Sequence, residues 1–336
     1  MNTHLTSKVS IALCTYNGER FLQEQLESIA AQIVPPFELV VCDDASSDST
    51  QKILNSFAET ADFPVRLHFN TENLGYVKNF EEAISFCEGD IIALCDQDDK
   101  WRADKIEVLQ KYFCDPRVGM AFSNAAIIDE SGKLTGQKLW DATHFDRRSR
   151  EQFSRGNAYQ ELYLKNIVSG CTMAFRSKWW PLISPLPEDI PFIHDAWIAF
   201  MISLYSEVIL INQPLIQHRV HSQQSTASGR NKTVVSAKVA SIRDGDRRQH
   251  YQMHLNQLSV IRERVFATQA DIPLEKQEIL LQWVKAHEQH LMVRLGNGNK
   301  WQTYKGVFKE LISGRYHHFS NGFKSVIADL LCRISR

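Results

Sequence analysis

Ile91-Ile-Ala-Leu-Cys-Asp-Gln-Asp-Asp99 sets five apolar residues directly ahead of three carboxylates within four positions. A short, unbroken apolar run is the pattern of a strand buried on both faces, and the acidic cluster marks where it ends. The same arrangement occurs twice upstream. Val9-Ser-Ile-Ala-Leu-Cys14 runs into Thr15-Tyr16-Asn17, and Phe37 to Cys42 runs into Asp43-Asp44-Ala-Ser-Ser-Asp48. Between these runs the spacing predicts helices. One covers Phe21 to Ala31 with Leu22, Leu26, Ile29 and Ala30 on one face. A second runs toward Phe57 with Ser47 or Asp48 as its cap, and a third covers Lys78 to Cys87. Val65 to Phe69 is a further strand, followed by the polar loop Asn70 to Gly75. Strands alternating with helices predict an α/β fold with a mostly parallel sheet and right-handed crossovers. Ligands of such sheets bind along the carboxyl edge, so the three polar clusters converge on one crevice.

The 336 residues, 43% of them hydrophobic, suffice for one large or two modest domains. The formal charge of -1 hides a split. Residues 1–229 carry 20 Lys and Arg against 30 Asp and Glu, and residues 230–336 carry 18 against 9. This excludes a uniformly basic nucleic-acid binder and describes an acidic body with a basic tail, which meets an anionic surface or packs on the body. The seven cysteines form no Cys-x-x-Cys pair; they read as free thiols of a reducing compartment and suggest no zinc cluster. No signal peptide is expected in the polar Met1 to Lys8, and Ala196 to Ile211 is too short and polar to span a bilayer. The expectation is a cytoplasmic or peripherally attached protein.

Farther along, a helix is expected from Trp101 to Phe113 and a strand from Val118 to Ser123. Trp140 to Tyr159 reads as a mobile polar loop, and Ile167 to Phe175 as a strand. Pro181 to Pro191, with four prolines, cannot be a regular helix. A long apolar helix opens at His194-Asp195, and 208–221 is a strand ending in a loop. Ser222 to Asn231 reads as a linker, so the first domain ends near 225 and 226–336 forms a helical basic region. In that region Asn256, Leu258, Ile261 and Val265 fit one helix, and Leu280, Leu281, Val284 and Leu291 a second. Trp301 to Arg336 is either a core-facing amphipathic pair or a membrane-surface element.

Asp96-x-Asp98-Asp99 repels itself unless a cation or strong hydrogen bonds offset the charge. Hard cations such as Mg2+ and Mn2+ prefer carboxylate oxygens and leave positions for phosphate oxygens and water. The competing reading is an acidic loop that caps the helix after Trp101. The chain has no Gly-x-Gly-x-x-Gly, no Gly-x-x-x-x-Gly-Lys-Ser/Thr and no Gly-x-Ser-x-Gly, so dinucleotide, P-loop and serine-hydrolase readings lack support.

Four segments together resemble the family 2 glycosyltransferases of GT-A fold. They are Val9 to Gly18, Val40-Val-Cys-Asp-Asp-Ala-Ser-Ser-Asp48, Asn73-Leu-Gly-Tyr-Val-Lys-Asn79 and Leu94-Cys-Asp-Gln-Asp-Asp99. The resemblance is strong over 9–125, extends to about 225 and is weak beyond. It implies a donor half over about 1–125 and an acceptor half over 126–225. It implies that Thr15, Tyr16, Asn17 and Glu19 line the nucleotide pocket, that Asp44 or Asp43 contacts base or ribose, and that Asn73 and Asn79 belong to the donor-binding set. Asp96 and Asp98 become the metal pair, with Asp98 the more direct ligand; Asp99 caps the next helix or touches the donor sugar.

In the second half, His194-Asp195-Ala196-Trp197 resembles the acceptor-side motif. Asp195 is then the general base that deprotonates an acceptor hydroxyl; a helix cap is the plainer alternative. His194 contacts acceptor or merely caps and packs. Gly170 and Cys171 resemble the segment beneath donor sugar and acceptor, and Trp197 is weighted toward the acceptor. Gln217-His-Arg-Val-His-Ser222 resembles a Tyr-Arg-x-His segment, with His221 a metal ligand and Arg219 a structural or phosphate contact; His218 stands where Tyr is common. Cys-Asp-Gln-Asp-Asp-x-Trp resembles bacterial rhamnosyltransferases of O-antigen or capsule assembly. The expected donor is dTDP-rhamnose or a UDP-sugar, the acceptor a lipid-linked glycan at the inner membrane, and a homodimer is a further option. A nucleotidyltransferase and a catalytically silent glycan-binding protein are the competing classes. Intact Asp96, Asp98 and Asp195 weigh against the second.

Overall fold

The structure, a computed structural model, describes residues 7–143, 145–188, 190, 192–222, 224, 244–267, 274–295, 300–320, 325, 326 and 329. Two compact units divide the chain: Met1–Leu186 with Phe192–Arg230, and Pro187–Pro191 with Asn231–Arg336.

The first unit begins with β1 (Val9–Thr15), α1 (Leu22–Ala30), β2 (Glu38–Asp43), α2 (Thr50–Ala58), β3 (Val65–Phe69), α3 (Tyr76–Ser85) and β4 (Ile91–Asp96). β1 and β2 are buried along their whole length, as their unbroken apolar runs require. Then come β5 (Lys100–Trp101), α4 (Lys105–Phe113), β6 (Val118–Ile128), β7 (Leu134–Lys138), α5 (Leu139–Ala142), α6 (Arg147–Ser154) and α7 (Ala158–Leu164). β8 (Met173–Arg176), α8 (Trp180–Ile183), α9 (His194–Tyr205) and β9 (Glu207–Arg219) complete the unit. The strands join in one sheet of order β3-β2-β1-β4-β8-β6-β9-β5, with β7 on β6. The long ladders β3-β2-β1-β4 and β6-β9 are parallel, and the short ones through β8, β5 and β7 antiparallel. This is the α/β fold with a mixed, mostly parallel sheet, consistent with a GT-A arrangement. The core lies between sheet and helices, around Ile11, Leu13, Leu26, Leu39, Val41, Ala93 and Leu109.

Several segments depart from expectation. The stretch after Trp140 is not a mobile loop. Buried Trp140, Phe145 and Phe153 pack with Phe122, and the Asp146 carboxylate caps α6 by accepting from the Ser149 N–H at 2.8 Å. These aromatic anchors outweigh the polar composition of the segment. Ile167 to Phe175 is strand only from Met173; Gly170–Thr172 is a 3-10 turn, held because Ser169 O accepts both Thr172 N–H and Thr172 Oγ1. Pro181 stands at the start of the short α8, where a missing N–H is no loss. Asp48 accepts from Thr50 N–H at 2.9 Å and so serves the first turn of α2. Helix α4 starts at Lys105, because Lys100 and Trp101 pair with β9.

The second unit contains α10 (Asp244–Ala267), α11 (Leu274–Leu295), α12 (Lys300–Ile312) and α13 (Arg315–Phe319), the helical character expected of this region. Leu258, Ile261, Val265, Leu280, Val284 and Leu291 are buried. Val307, Tyr316 and Val326 form a small core with Val293 and Leu311. Beneath it Arg294 pairs with Asp329 at 2.9 Å, and Tyr316 Oη donates to the same carboxylate. Most of the expected linker 222–231, together with Phe323, Ile327, Leu330 and Cys332, lies outside the described residues. Among the described residues, no helix is long and apolar enough to cross a membrane.

Candidate active site

Strand register brings the three polar clusters to one edge. Thr15 is paired with Asp43, and Cys14 with Asp96, at the carboxyl ends of β1, β2 and β4. Asp43 is fully buried and accepts from Thr15 Oγ1 (2.8 Å), Ser46 N–H and Oγ, and Gln51 Nε2 (3.0 Å). Asp44 is likewise buried. It accepts from Leu74 N–H, Gly75 N–H and Asn70 Nδ2 at 2.8–3.0 Å. These two carboxylates therefore hold the loops after β2 and β3. Asn79 donates to Cys42 O at 2.9 Å and accepts from Asn70, while Asn73 donates to Asp44 O at 3.3 Å. The Asn-x-Gly-x-x-x-Asn segment thus folds around Asp44. Asn17 Oδ1 accepts from Ser47 N–H, and Glu19 Oε2 from Ser49 N–H, both at 2.9 Å. Asn17 (φ 47°) and Ala45 (φ 61°) sit in the left-handed region, strain stored in the two loops beside the sheet edge. Tyr16 projects from this lattice with 49% of its surface exposed.

Gln97 binds the first loop to the acidic one. Its Oε1 accepts from Tyr16 N–H at 2.9 Å and its Nε2 donates to Tyr16 O at 3.0 Å. A Cβ on Gly18 would stand 2.2 Å from that Oε1, so glycine is needed for the close approach. Sequence reading assigned Gln97 no role, although it stands inside the quoted motif.

The three carboxylates of the acidic loop differ. Burial, together with the charges of Asp99 and Asp98, pushes the Asp96 carboxyl up to about 8. Asp98 Oδ2 lies 2.8 Å from His221 Nε2. Asp99 is fully buried and accepts from His218 Nδ1 at 3.0 Å and from Arg219 N–H at 2.9 Å. Burial opposes ionisation of that last pair, but mutual attraction and the hydrogen bonds win. They hold the Asp99 carboxyl low and raise the His218 imidazole to about 9. Asp99 therefore neither caps α4 nor, with Oδ1 so engaged, stands open to solvent. Asp99 Oδ2 and His218 Nε2 are buried without a hydrogen-bond partner. Asp99, Cys171 and His218 also present ligand-type atoms within 4.8 Å of one another. The Arg219 guanidinium is buried, donating to Asp98 O, Glu130 O and Glu24. It is a structural clamp under the acidic loop.

Asp195 opens α9. Its Oδ2 accepts from Gly170 N–H at 3.0 Å and its Oδ1 from Ala196 N–H at 2.6 Å. Burial raises its carboxyl above the ordinary range, against the pull of His194 and those two N–H groups. It also lies near enough to Asp96 to raise that carboxyl further. His194 is buried and stacks on Phe80 at 4.4 Å, with Tyr76 against its edge at 5.8 Å. Burial lowers its imidazole, and its Nδ1 lacks a hydrogen-bond partner. Gly170 backs onto this pair: a Cβ there would stand 3.3 Å from His194 Nε2 and 3.8 Å from Asp195 Oδ2. Cys171 is fully buried, 3.8 Å from His218 Nδ1. Trp197 is 1% exposed, and its indole N–H donates to Ile183 O at 3.1 Å, so its ring packs in the interior. The half-exposed Tyr76 is the aromatic side chain beside His194 that sequence reading did not single out. Its signal was an aromatic at the first helical position after a glycine.

The profile of "Glycosyl transferase family 2" matches residues 10–181. The putative glycosyltransferase EpsH of Bacillus subtilis is 23% identical over 223 residues, 64% of this chain and 62% of that protein. The chain thus aligns with less than two thirds of that relative's length. WfgD of Escherichia coli, a UDP-Glc:alpha-D-GlcNAc-diphosphoundecaprenol beta-1,3-glucosyltransferase, is 28% identical over 66% of this chain and 79% of its own. The crystal structure of S. aureus TarS 1-349 in complex with UDP-GlcNAc superposes with a TM-score of 0.58. It shares 15% identity and covers 98% of this chain and 88% of TarS 1-349, a likeness of fold. By the matched segment and the residues on its sheet edge, the chain belongs to glycosyl transferase family 2.

Proposed function

We propose that the protein transfers one sugar, with inversion, from a pyrimidine nucleotide-sugar to a hydroxyl of a lipid-linked bacterial glycan. The observation that carries this reading is the grouping on one sheet edge of the Asp96–Asp98–His221 set with the amide-held, buried Asp195.

Tyr16 offers an exposed ring to the base, and the loops fixed by Asp43, Asp44, Asn73 and Asn79 shape the pocket that Thr15, Asn17 and Glu19 line. Asp96, Asp98 and His221 would hold Mg2+ or Mn2+. The fit rests on the chemistry and placement of the donor set, two carboxylates at the end of β4 with His221 Nε2 2.8 Å from Asp98 Oδ2. Oxygen donors with one imidazole suit either ion. Such an ion supplies charge neutralisation to the departing diphosphate. Asp195 accepts the proton of the acceptor hydroxyl as its oxygen bonds to the anomeric carbon; the bond from that carbon to the diphosphate oxygen breaks. One displacement inverts the centre, and one carboxylate suffices because nucleoside diphosphate needs no protonation to leave. Gly170 N–H and Ala196 N–H orient the base, and His194 beside it faces the acceptor.

Likeness to WfgD favours UDP-glucose and a diphospholipid-linked acceptor. The Cys-Asp-Gln-Asp-Asp-x-Trp run favours dTDP-rhamnose. The separating experiment measures binding and slow hydrolysis of UDP-glucose, UDP-GlcNAc and dTDP-rhamnose with Mn2+, Mg2+ or chelator, beside Asp98→Asn. Metal-dependent recognition of one donor, lost in the variant, is expected. Equal donor binding in chelator would sink the metal assignment.

A membrane-side acceptor is part of this proposal, and the surface of α12 supports it. Val307, Glu310 and Leu311 turn inward, while Lys305, Phe308, Lys309 and Ile312 form the outward stripe, with Phe308 64% and Ile312 72% exposed. Lysines flanking apolar side chains at helical spacing suit an anionic bilayer surface.

A further inference from the structure

Lys105 is a fully buried lysine in the first unit that the proposed chemistry does not use. It stands in the first turn of α4, on the apolar stripe with Leu109 and Phe113. Its ammonium lies 3.6 Å above the Trp101 ring. Its hydrogen bond is to Cys171 O, at 2.8 Å. Burial lowers its ammonium to about 8, with Asp99 and Asp96 among the groups opposing the shift. A buried ammonium is costly to desolvate, so its placement over Trp101 and against Cys171 O calls for an account.

The bond it makes has a specific neighbour. Cys171 is the middle residue of the Gly170–Thr172 turn, and Gly170 N–H is one of the two donors that hold Asp195. Trp101, under the ammonium, belongs to β5, two residues past Asp99. We propose that Lys105 is a positioning residue for Asp195: by gripping Cys171 O it fixes the turn that aims Gly170 N–H at the base, and so ties the base to the acidic loop. This rests on the reading of Asp195 as the base. The turn needs such a grip because it interrupts what would otherwise be a strand. Apart from the Gly170 bond to Asp195 and a long Cys171 Sγ–His218 Nδ1 contact of 3.8 Å, its hydrogen bonds, Ser169 O to Thr172 and Ser169 Oγ to Cys171 Sγ, are local, so Lys105 supplies the short tie from its backbone to another element.

The test compares Lys105→Met and Lys105→Arg with wild type and Asp195→Asn. It reads three quantities: melting temperature, affinity for UDP with Mn2+, and titration of the Asp195 carboxyl by carbon-13 NMR. The charged groups facing that carboxyl are His194 and Asp96; Asp96 also feels the Lys105 charge, so Lys105→Arg, which keeps that charge, is the control for a purely electrostatic shift. Nucleotide release from the donor panel is followed in parallel. Lys105→Met is expected to stay folded, melting somewhat lower because Cys171 O loses its donor, and to bind UDP–Mn2+ within about twofold, because the loss concerns aim rather than donor contact. The Asp195 carboxyl should titrate higher, by about one unit, as its Gly170 bond weakens. Turnover should fall about 10- to 100-fold, and Lys105→Arg should restore part of it. An unmoved Asp195 titration in folded Lys105→Met overturns the proposal. So does a loss of UDP–Mn2+ affinity that accounts for the whole defect, since the charge would then serve the acidic loop. Should Lys105→Met fail to fold, the same titration in Lys105→Arg decides: a wild-type value supports the grip and an upward shift as large as that expected for Met refutes it. Full activity in Asp195→Asn would instead refute the base assignment.

Discussion

Asp195 and Asp99 are both buried carboxylates of one site, and their surroundings send them in opposite directions. Asp99 meets a protonated imidazole and an N–H and stays ionised. Asp195 has two N–H donors and a neutral, buried histidine, which do not repay its desolvation, and its carboxyl rises. A carboxyl raised in this way is a stronger proton acceptor when ionised, which suits a base. The sign for activity follows. The base works only when deprotonated, so kcat/KM should fall on acidification, with its midpoint above 3.8, the ordinary value for this side chain. A pH–rate profile with saturating Mn2+ checks this; a midpoint at or below the ordinary value would remove Asp195 from the role. Asp195→Asn keeps the shape and should lower turnover about 10^2- to 10^4-fold while leaving UDP–Mn2+ binding in place.

At the scale of elements, the site is a set of loops tied to one another more than to their own strands. The Gln97 clamp is the clearest case, because it joins loops 81 residues apart through both polar groups of one side chain. Gly18→Ala would force that side chain to move. The loss of two modest hydrogen bonds, about 0.5–1.5 kcal/mol each, should lower the melting temperature by a few degrees, and the loosened loop should bind UDP–Mn2+ roughly 5- to 100-fold more weakly. Calorimetric titration reads it, and undiminished affinity would mean that the clamp does not shape the nucleotide pocket. Such ties also explain which parts were legible in the sequence. Apolar runs ending in polar clusters announced β1, β2, β4 and the edge where they meet, because burial on both faces leaves a continuous signature. The helices after Trp140 were missed because three aromatic side chains stabilise a segment whose other residues are polar. Asp43, Asp44, Asn73 and Asn79 were legible as polar residues at the carboxyl edge of the sheet. That they spend their polar atoms on neighbouring loops was not, since no local pattern encodes a partner 30 residues away.

For the whole molecule, the charge division between the two halves meets a structural counterpart in each unit considered alone. The first carries the acidic sheet edge; the second carries the Lys305–Phe308–Lys309–Ile312 stripe on α12. The 336-residue protein should sediment with vesicles of phosphatidylcholine and phosphatidylglycerol more than with phosphatidylcholine alone. Phe308→Ser with Ile312→Ser should reduce the bound fraction about tenfold, because the insertion of two large apolar side chains is lost. Equal sedimentation of variant and wild type would leave the stripe without this role. A different consequence follows from the span of the acidic loop's partners. His218 and Arg219 reach Asp99 across 119 and 120 residues, and His221 reaches Asp98 across 123. During synthesis, every residue of Asp96–Asp99 leaves the ribosome long before the groups that neutralise it. The nascent first half therefore carries an unbalanced cluster of negative charge that resists burial until β9 arrives. Among the described residues, β9 is the last strand to be made, and it carries the partners that let the acidic loop settle.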